Sequence, residues 1–284
     1  MAKVTLCAFS DEANASFSGQ VAALKRNNIP YMEMRLVDGK NIIDYSISEV
    51  KEYKKKMDDE GLAVWSLGSP IGKVDINVDF TVYLEKVKYT AEVAAILGAN
   101  KVRMFSFFNS ANDREKVFGY LTQMVDVAKE YGVSLYHENE KGIYGDSLAR
   151  VQDIMDNVKG LKYIYDPANY LQVGETADDT LNAFHTRTDY FHIKDVRLAV
   201  GALVPAGCGD GKIDELVRRI TDDKVLTLEP HLSVFEGYSA LDKTTMKHEY
   251  AFQTAEIAFD TAVLALKKII LANGYTEVGN TFVK

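Results

Sequence analysis

Cysteine, proline and tryptophan are scarce in this sequence of 284 residues, which contains 2 Cys, 5 Pro and 1 Trp. The cysteines, Cys7 and Cys208, form no CxxC motif and lie near no pair of histidines, so they indicate neither a disulfide scaffold nor a thiolate metal site. The low proline content and the 47% share of hydrophobic residues exclude collagen-like and disordered chains. These features are typical of a folded protein of the reducing cytoplasm.

Long hydrophobic runs and an excess of basic residues are also missing. The N-terminal segment MAKVTLCAFSDE has an apolar run of about six residues, too short for a signal peptide or a membrane span. The 33 Lys and Arg residues against 41 Asp and Glu residues give a formal charge of −8, the wrong sign for a surface that binds nucleic acid. We therefore expect a cytoplasmic protein whose partner is a small molecule rather than nucleic acid or a membrane.

Short apolar runs rich in aromatic and β-branched residues alternate with longer amphipathic stretches along the chain. The near-continuous apolar character of the short runs is typical of parallel strands that are buried on both faces. The eight predicted strands are Val4–Phe9, Tyr31–Arg35, Ala63–Leu67, Lys101–Phe107, Ser134–His137, Tyr163–Tyr165, Tyr190–Ile193 and Val225–Leu228.

The longer stretches carry apolar residues at three- and four-residue spacing, which predicts helices, and a glycine or asparagine ends several of them. The predicted helices are Ser18–Asn27, Ser48–Glu60, Val82–Leu97, Arg114–Tyr131, Ser147–Asn157, Thr180–Thr186, Ile213–Thr221 and a C-terminal helical extension, Glu249–Ala272. This repetition predicts one α/β domain over residues 1–284, a single (β/α)8 TIM barrel. An open doubly wound sheet is the alternative, although no strand is followed by GxGxxG.

Carboxylates and histidines follow or end the last four predicted strands. One residue from each, Glu138, Asp166, His192 and Glu229, recurs at intervals of about one βα unit. The carboxyl ends of barrel strands meet at one face, so these four side chains are predicted metal ligands. Three carboxylates and an imidazole suit one divalent ion such as Mn²⁺, Mg²⁺, Co²⁺ or Zn²⁺. As alternatives, the carboxylates cap helices or pair with basic residues, and His192 is a core histidine.

The order of the motifs FSDE, EMR, GSPIGK, FSFF, HENE, YDPAN, HIKD, AGCGDGKID and LEPH resembles the xylose-isomerase-like TIM barrels over nearly the whole chain. GSPIGK and GCGDGKID are most similar to sugar phosphate isomerase/epimerase sequences. The resemblance implies that Glu138 and Glu229 are catalytic and transfer protons on opposite faces of a substrate. The chain departs from the ketose 3-epimerases at Asn169, where those enzymes have a histidine, and Arg197 matches their arginine only loosely. Lys194 in HIKD is similar to the dehydratase branch instead.

Five residues are predicted to bind substrate: Arg35, Lys73, Arg103, Asn169 and Lys194. The arginines alternatively neutralise the carboxylate ring, and Glu33 alternatively pairs with Arg35 on the same strand face. The loops GSPIGK and AGCGDGK are candidates to donate backbone amides to a phosphate, or are loops that only need glycine at positive φ.

The function that these residues and the resemblance favour is a divalent-metal-dependent isomerase or epimerase of a sugar or sugar phosphate. It would work by proton transfer next to a carbonyl, through an enediolate. Three alternatives are an inosose or keto-sugar dehydratase on the same metal site, an AP endonuclease and a non-catalytic sugar-binding protein. The 5 histidines are few for the endonuclease, which uses about three zinc ions within this superfamily. The resemblance also allows a homo-oligomer.

Overall fold

The computed structural model describes residues 2–233 and 247–284, and eight parallel strands form a closed barrel at its centre. Closure comes from the pairing of the first strand with the last, in the register Val4↔Lys224 to Ala8↔Leu228. In barrel order the strands are β1 (Lys3–Ala8), β2 (Tyr31–Met34), β5 (Ala63–Leu67), β6 (Lys101–Met104), β7 (Ser134–Glu138), β8 (Lys162–Tyr165), β9 (Tyr190–Ile193) and β12 (Lys224–Leu228). The predicted TIM barrel is confirmed.

Helices connect the strands and surround the barrel. They are α1 (Phe17–Arg26), α2 (Ile47–Asp59), α3 (Phe80–Leu97), α4 (Arg114–Glu130), α5 (Leu148–Asn157), α6 (Pro167–Gln172), α7 (Ala177–Phe184), α8 (Ile213–Arg218) and α9 (Ala255–Ala272). Single 3-10 turns occur at Ser10–Glu12, Ile42–Asp44, Tyr144–Asp146 and His185–Arg187. A glycine or asparagine was predicted to end several helices before a strand, and these residues all take positive φ, as is common just after a helix: Asn28, Gly61, Gly98, Gly132 and Gly160.

Three short hairpins lie outside the barrel wall. They are β3 (Leu36–Val37) with β4 (Lys40–Asn41), β10 (Asp195–Arg197) with β11 (Ala202–Val204), and β13 (Thr276–Val278) with β14 (Thr281–Val283). None of these three hairpins was predicted, and the last one joins the barrel sheet. Its second strand pairs antiparallel with the start of β1, in the register Lys3↔Val283, so the end of the chain adds an antiparallel strand beside the barrel.

The fourth barrel strand is shorter than the sequence predicts. The apolar run predicted a strand over Lys101–Phe107, but β6 ends at Met104. The amide of Phe105 donates to the carbonyl of Ile71 and the amide of Phe107 to that of Gly72, at 2.9 Å each, and Phe107 has φ 67°. The chain leaves the barrel after Met104 because its backbone amides bind the loop that follows β5 instead of a neighbouring strand.

The C-terminal helix begins later than the predicted Glu249–Ala272. Residues 249–254 are not helical, and α9 starts at Ala255. Thr254 has extended backbone angles and its side chain accepts from the amide of Ile257, so it caps the helix. Because α9 packs against α8 and the 3-10 turn after β1, it is the eighth barrel helix. Within the described ranges, no helix is both long and apolar enough to cross a membrane.

Candidate metal centre

The four predicted metal ligands meet at the carboxyl ends of the barrel strands. Glu138 is the last residue of β7 and His192 lies in β9, while Asp166 and Glu229 directly follow β8 and β12. All four are at least 97% buried, and each offers a ligand atom within 4.8 Å of those of the other three. The parallel barrel places them together because each lies at or directly beside the carboxyl end of its own strand.

His192 is held between carboxylates on both sides of its ring. Its Nδ1 lies 3.0 Å from Oε1 of Glu138 and 3.2 Å from Oε2 of Glu229, and its Nε2 lies 3.1 Å from Oε2 of Glu33. Burial by itself lowers the pKa of His192, but Glu138 and Glu33 raise it well above its ordinary value. A core histidine bonded only to a carbonyl does not describe this residue, because its three polar neighbours are carboxylates.

Glu33 was expected to pair with Arg35, and its contact with His192 was not predicted. In the neutral tautomer whose proton sits on Nε2, the ring donates to Glu33 and its Nδ1 lone pair faces Glu138 and Glu229. One clue in the sequence was that Glu33 and Arg35 are two residues apart on an extended strand and therefore face the same side, and the side chain of Arg35 reaches the centre. Sequence alone does not reveal which strand across the barrel Glu33 meets.

The two buried arginines bind the carboxylates of the centre. Arg35 donates through Nε to Oδ2 of Asp11 at 2.8 Å and through Nη1 to Oε1 of Glu229 at 3.0 Å. Arg103 donates through Nη1 to Oε2 of Glu138 and Oε1 of Glu229, at 3.2 Å each. The geometry agrees with the alternative that these arginines neutralise the carboxylate ring. Asp11, which was not predicted, is part of that ring.

Asp166 has two roles, because each carboxylate oxygen meets a different group. Its Oδ1 accepts from the amide of Asn169 at 3.0 Å and caps α6, while its Oδ2 lies 3.0 Å from Nζ of Lys194. Asn169 also donates through Nδ2 to Oε1 of Glu138 at 3.4 Å. Lys194 and Asn169 therefore lie beside the candidate ligands, and their contact with substrate stays a prediction.

Lys73 lies at the edge of the site and contacts none of the four candidate ligands at ion-pair distance among the contacts described. Its Nζ pairs with Oε2 of Glu140 at 3.0 Å and lies 4.3 Å from the ring centre of Phe105. Two histidines flank the centre: His137 precedes Glu138 in β7, and Nε2 of His231 lies 3.7 Å from Oε1 of Glu229. His137 Nε2 lies 2.9 Å from Oγ of Ser106, and burial lowers its pKa to about 3, so it is a neutral structural histidine.

Burial raises the pKa of the carboxyl groups, and their neighbours decide the net direction. The pKa of Glu138 lies below its usual value because His192 and Arg103 together outweigh burial and the charge of Glu229. For Glu229, Lys194 and His192 outweigh burial and hold the pKa well below its usual value. The pKa of Asp166 is raised to about 6, since burial outweighs Lys194 there. Glu138 and Glu229 are therefore ionised at neutral pH and able to accept a proton.

Among the residues that the structure describes, buried carboxylates around the centre outnumber buried cations. The carboxylates are Asp11, Glu12, Glu33, Glu138, Asp166 and Glu229, and the permanent cations are Arg35, Arg103 and Lys194. Asp166 Oδ2 and Glu229 Oε2 accept no well-aligned hydrogen bond from any residue in the described part of the chain, although Lys194 Nζ is 3.0 and 3.9 Å away. Excess negative charge and a three-carboxylate, one-imidazole donor set fit a divalent cation such as Mn²⁺, Mg²⁺, Co²⁺ or Zn²⁺.

The glycine-rich loop after β9 closes on a carboxylate. Asp195 accepts from the amides of Gly207 at 2.9 Å, Gly209 at 3.0 Å and Gly211 at 2.9 Å. A Cβ atom on Gly209 would lie 2.3 Å from Oδ1 of Asp195, so this loop needs glycine in order to approach the side chain. These three amides are occupied within the protein.

The loop GSPIGK is likewise hydrogen-bonded to itself and to the barrel. Gly68 donates to the carbonyl of Met34 at 2.8 Å, Gly72 to the hydroxyl of Tyr83 at 2.6 Å, and Lys73 to the carbonyl of Pro70 at 3.0 Å. Both glycine-rich loops therefore use these amides for their own folding. The expectation that they present these amides to a phosphate finds no support in the geometry.

Several solved structures share this barrel, and because their sequence identity to this chain is low, they establish a likeness of fold only. The probable 3-DHS dehydratase AsbF from Bacillus anthracis has a TM-score of 0.70 at 16% identity, covering 94% of this chain and 99% of that one. The IOLI protein with a binding zinc atom has a TM-score of 0.71 at 17% identity, covering 95% and 99%. An L-ribulose 3-epimerase has a TM-score of 0.71 at 17% identity, covering 96% of both chains. No curated protein sequence matches this chain.

A family model also matches the sequence itself. It is described as xylose isomerase-like TIM barrel and matches residues 21–245, most of the chain and all four residues of the candidate centre. The closed eight-stranded parallel barrel is the architecture that this description names. The chain therefore belongs to the xylose isomerase-like TIM barrel family.

Proposed function

We propose that this protein is a divalent-metal-dependent isomerase or epimerase of a sugar without a phosphate group, working by proton transfer next to a carbonyl. The observation that carries the proposal is the pair of buried, ionised carboxylates, Glu138 and Glu229. Glu138 ends β7, Glu229 directly follows β12, and both contact Nδ1 of His192, so two ionised carboxylates from different strands meet at one point. One base alone would not require this arrangement.

Glu138, Asp166, His192 and Glu229 would hold the metal ion. Such an ion, when bound, supplies a positive charge that polarises a carbonyl and acidifies the neighbouring carbon. The protein's own contribution is to place two bases beside that carbon. Glu138 takes the proton from one face of the substrate and Glu229 returns one to the other face, which inverts the configuration in an epimerase.

The surrounding cations keep both bases in place. Arg103 donates from a single nitrogen to Glu138 and Glu229, so it fixes the two carboxylates relative to each other. Burial lowers the pKa of Lys194, but Asp166 raises it above its usual value. Lys194 therefore keeps its proton and offers a charged donor to a substrate oxygen. These residues also stabilise the negative charge that develops on the substrate when the proton leaves.

We propose a substrate without a phosphate group because of the hydrogen bonds within the two glycine-rich loops, AGCGDGK and GSPIGK. The amides of Gly207, Gly209 and Gly211 are bonded to Asp195, and that of Gly72 to Tyr83. Lys73 is paired with a carboxylate. Because these amides are occupied and Lys73 is neutralised, a free ketose suits this site better than a ketose phosphate.

The test is deuterium wash-in from D₂O into a panel of ketoses and ketose phosphates, with metal content measured on the same samples. We expect about one divalent ion per chain and exchange at the carbon next to the carbonyl of a free ketose. Glu138→Gln and Glu229→Gln should each lower the exchange rate by at least about 100-fold. The control is Glu85→Gln, the same change at an exposed carboxylate of α3 that pairs with Lys88.

The outcomes separate the proposal from its alternatives. Loss of exchange in both site variants but not in the control supports proton transfer by two bases. A product that absorbs as an enone identifies a dehydratase, which is the activity for which one structural neighbour is named. Tight sugar binding without exchange or turnover, in protein loaded with Mn²⁺, identifies a binding protein and contradicts the proposal.

A further inference from the structure

The solvent-facing side of α9 carries a row of large apolar side chains. Ile257, Leu264 and Leu271 are 44%, 66% and 47% exposed, whereas Phe259 and Leu266 on the other side of the helix are buried in the barrel core. Seven residues of an ideal α-helix return to within about 20° of the same direction, so the three exposed residues form one straight row. The exposed face of α9 is therefore mainly apolar, with the exposed Lys268 beside the row.

This row differs from the outer face of an ordinary barrel helix. On α2 the exposed positions are occupied by charged residues such as Lys51, Glu52 and Lys55. A helix that is apolar on its exposed side is typical of one that packs against a further element. The row extends over most of the 18 residues of α9, a length of about 27 Å.

We infer that α9 is the interface of a two-fold symmetric dimer, in which it packs antiparallel against α9 of a second copy of this chain. The apolar row is symmetric about its centre, because Ile257 and Leu271 each lie seven residues from Leu264. A two-fold axis at Leu264 places this residue against Leu264 of the second copy. The same axis places Ile257 against Leu271 of the second copy, so every large side chain of the row meets another.

The charges beside the row are complementary in the same arrangement. Asp260 and Lys267 lie on one flank of the row, four residues before and three residues after Leu264. Antiparallel packing brings Asp260 of each copy opposite Lys267 of the other, and this occurs twice because the interface is symmetric. Within each copy Asp260 also binds Arg26 and Lys267 also binds Glu277.

The first test is sedimentation equilibrium of the full chain over a range of concentrations. We expect a monomer–dimer equilibrium, since a single helix pair is small beside the roughly 800 Å² per partner of a standard interface. Leu264→Glu should weaken the dimer at least about tenfold by placing like charges together at the two-fold axis. Val82→Glu on α3, where Val82 is 68% exposed, is the matched control and should leave the equilibrium unchanged.

A monomer at all concentrations overturns the inference, and so does a dimer that Leu264→Glu does not weaken. The circular dichroism spectrum of each variant checks that the barrel is folded. Neither result depends on the metal centre or on catalysis, so failure here leaves the proposed function untouched.

The second test establishes the direction of packing by cysteine cross-linking. In a Cys208→Ser background, which removes the exposed native thiol, Leu264→Cys should cross-link to itself with a short bifunctional maleimide. Ile257→Cys alone should not cross-link, whereas Ile257→Cys combined with Leu271→Cys should. Cross-linking of Ile257→Cys alone indicates parallel packing and contradicts the inference, as does failure of Leu264→Cys to cross-link.

Discussion

Replacement of Glu33 should weaken metal binding although Glu33 is not one of the four candidate ligands. Its Oε2 lies 3.1 Å from Nε2 of His192, and its Oε1 accepts no well-aligned hydrogen bond from the residues that the structure describes. The carboxylate therefore acts mainly on the imidazole. It favours the tautomer with the proton on Nε2, which leaves the Nδ1 lone pair directed toward Glu138 and Glu229.

The size of the effect follows from what each substitution removes. Loss of such an outer carboxylate weakens metal binding about 10- to 100-fold, or about 1.4 to 2.7 kcal/mol. Glu33→Gln keeps an oxygen that accepts the Nε2–H of His192 and removes only the charge, so we expect a loss near tenfold. Glu33→Leu removes both the charge and the acceptor, so we expect a loss near 100-fold.

The assay is isothermal titration calorimetry with Mn²⁺ in competition with a chelator at neutral pH, on variants whose circular dichroism spectra are unchanged. Glu85→Gln provides the control, because its carboxylate lies on the surface of α3 and pairs with Lys88. If both Glu33 variants bind Mn²⁺ as tightly as the parent, while His192→Ala binds it weakly, the positioning role of Glu33 is refuted.

Three further predictions concern stability, measured by urea unfolding of metal-free protein. Asp195→Asn should lower the free energy of unfolding by about 2–5 kcal/mol, because two of the four backbone amides that donate to this carboxylate lose their acceptor. The control Asp210→Asn affects one exposed hydrogen bond and should cost less than about 1 kcal/mol, so equal effects would contradict this prediction. Gly72→Ala should lower the free energy of unfolding by about 3 kcal/mol or more, since the added Cβ would lie 2.0 Å from a backbone oxygen. Gly61→Ala, where φ is also positive but no atom lies near the added Cβ, should cost about 1–2 kcal/mol, and similar losses for both variants would show that the clash relaxes. Burial lowers the pKa of His185, so the unfolded chain binds a proton that the native state disfavours, and the free energy of unfolding should fall as the pH drops below about 6.5. His185→Gln should flatten this decline, and an unchanged slope would show that His185 does not cause it.

The barrel and its four candidate ligands were predictable because both depend on local pattern. Each strand is an apolar run and each helix an amphipathic stretch, and a residue that ends a parallel strand lies on one known face of the barrel. Glu138, Asp166, His192 and Glu229 are such residues, so their meeting follows from the strand count alone. The resemblance to the xylose-isomerase-like barrels rests on the same ordered motifs.

The features that were not predicted depend on contacts between distant parts of the chain. Glu33 meets His192 across the barrel, 159 positions along the sequence. The composition of AGCGDGK is consistent with a phosphate loop, and only the packed structure shows that Asp195 occupies its amides. The strand ending at Met104 and the hairpin β13–β14 likewise depend on partners that the local pattern does not specify.

By itself, the sequence determined the fold and the four candidate ligands at the carboxyl face, because periodicity and strand ends are properties of neighbouring residues. Only the tertiary structure decided how these side chains share their charges. It set Arg103 between Glu138 and Glu229, gave Asp166 both a helix cap and an ion pair, and turned Glu33 toward His192. Hydrogen bonds and ion pairs act over a few ångströms, so their partners are settled only when the barrel closes.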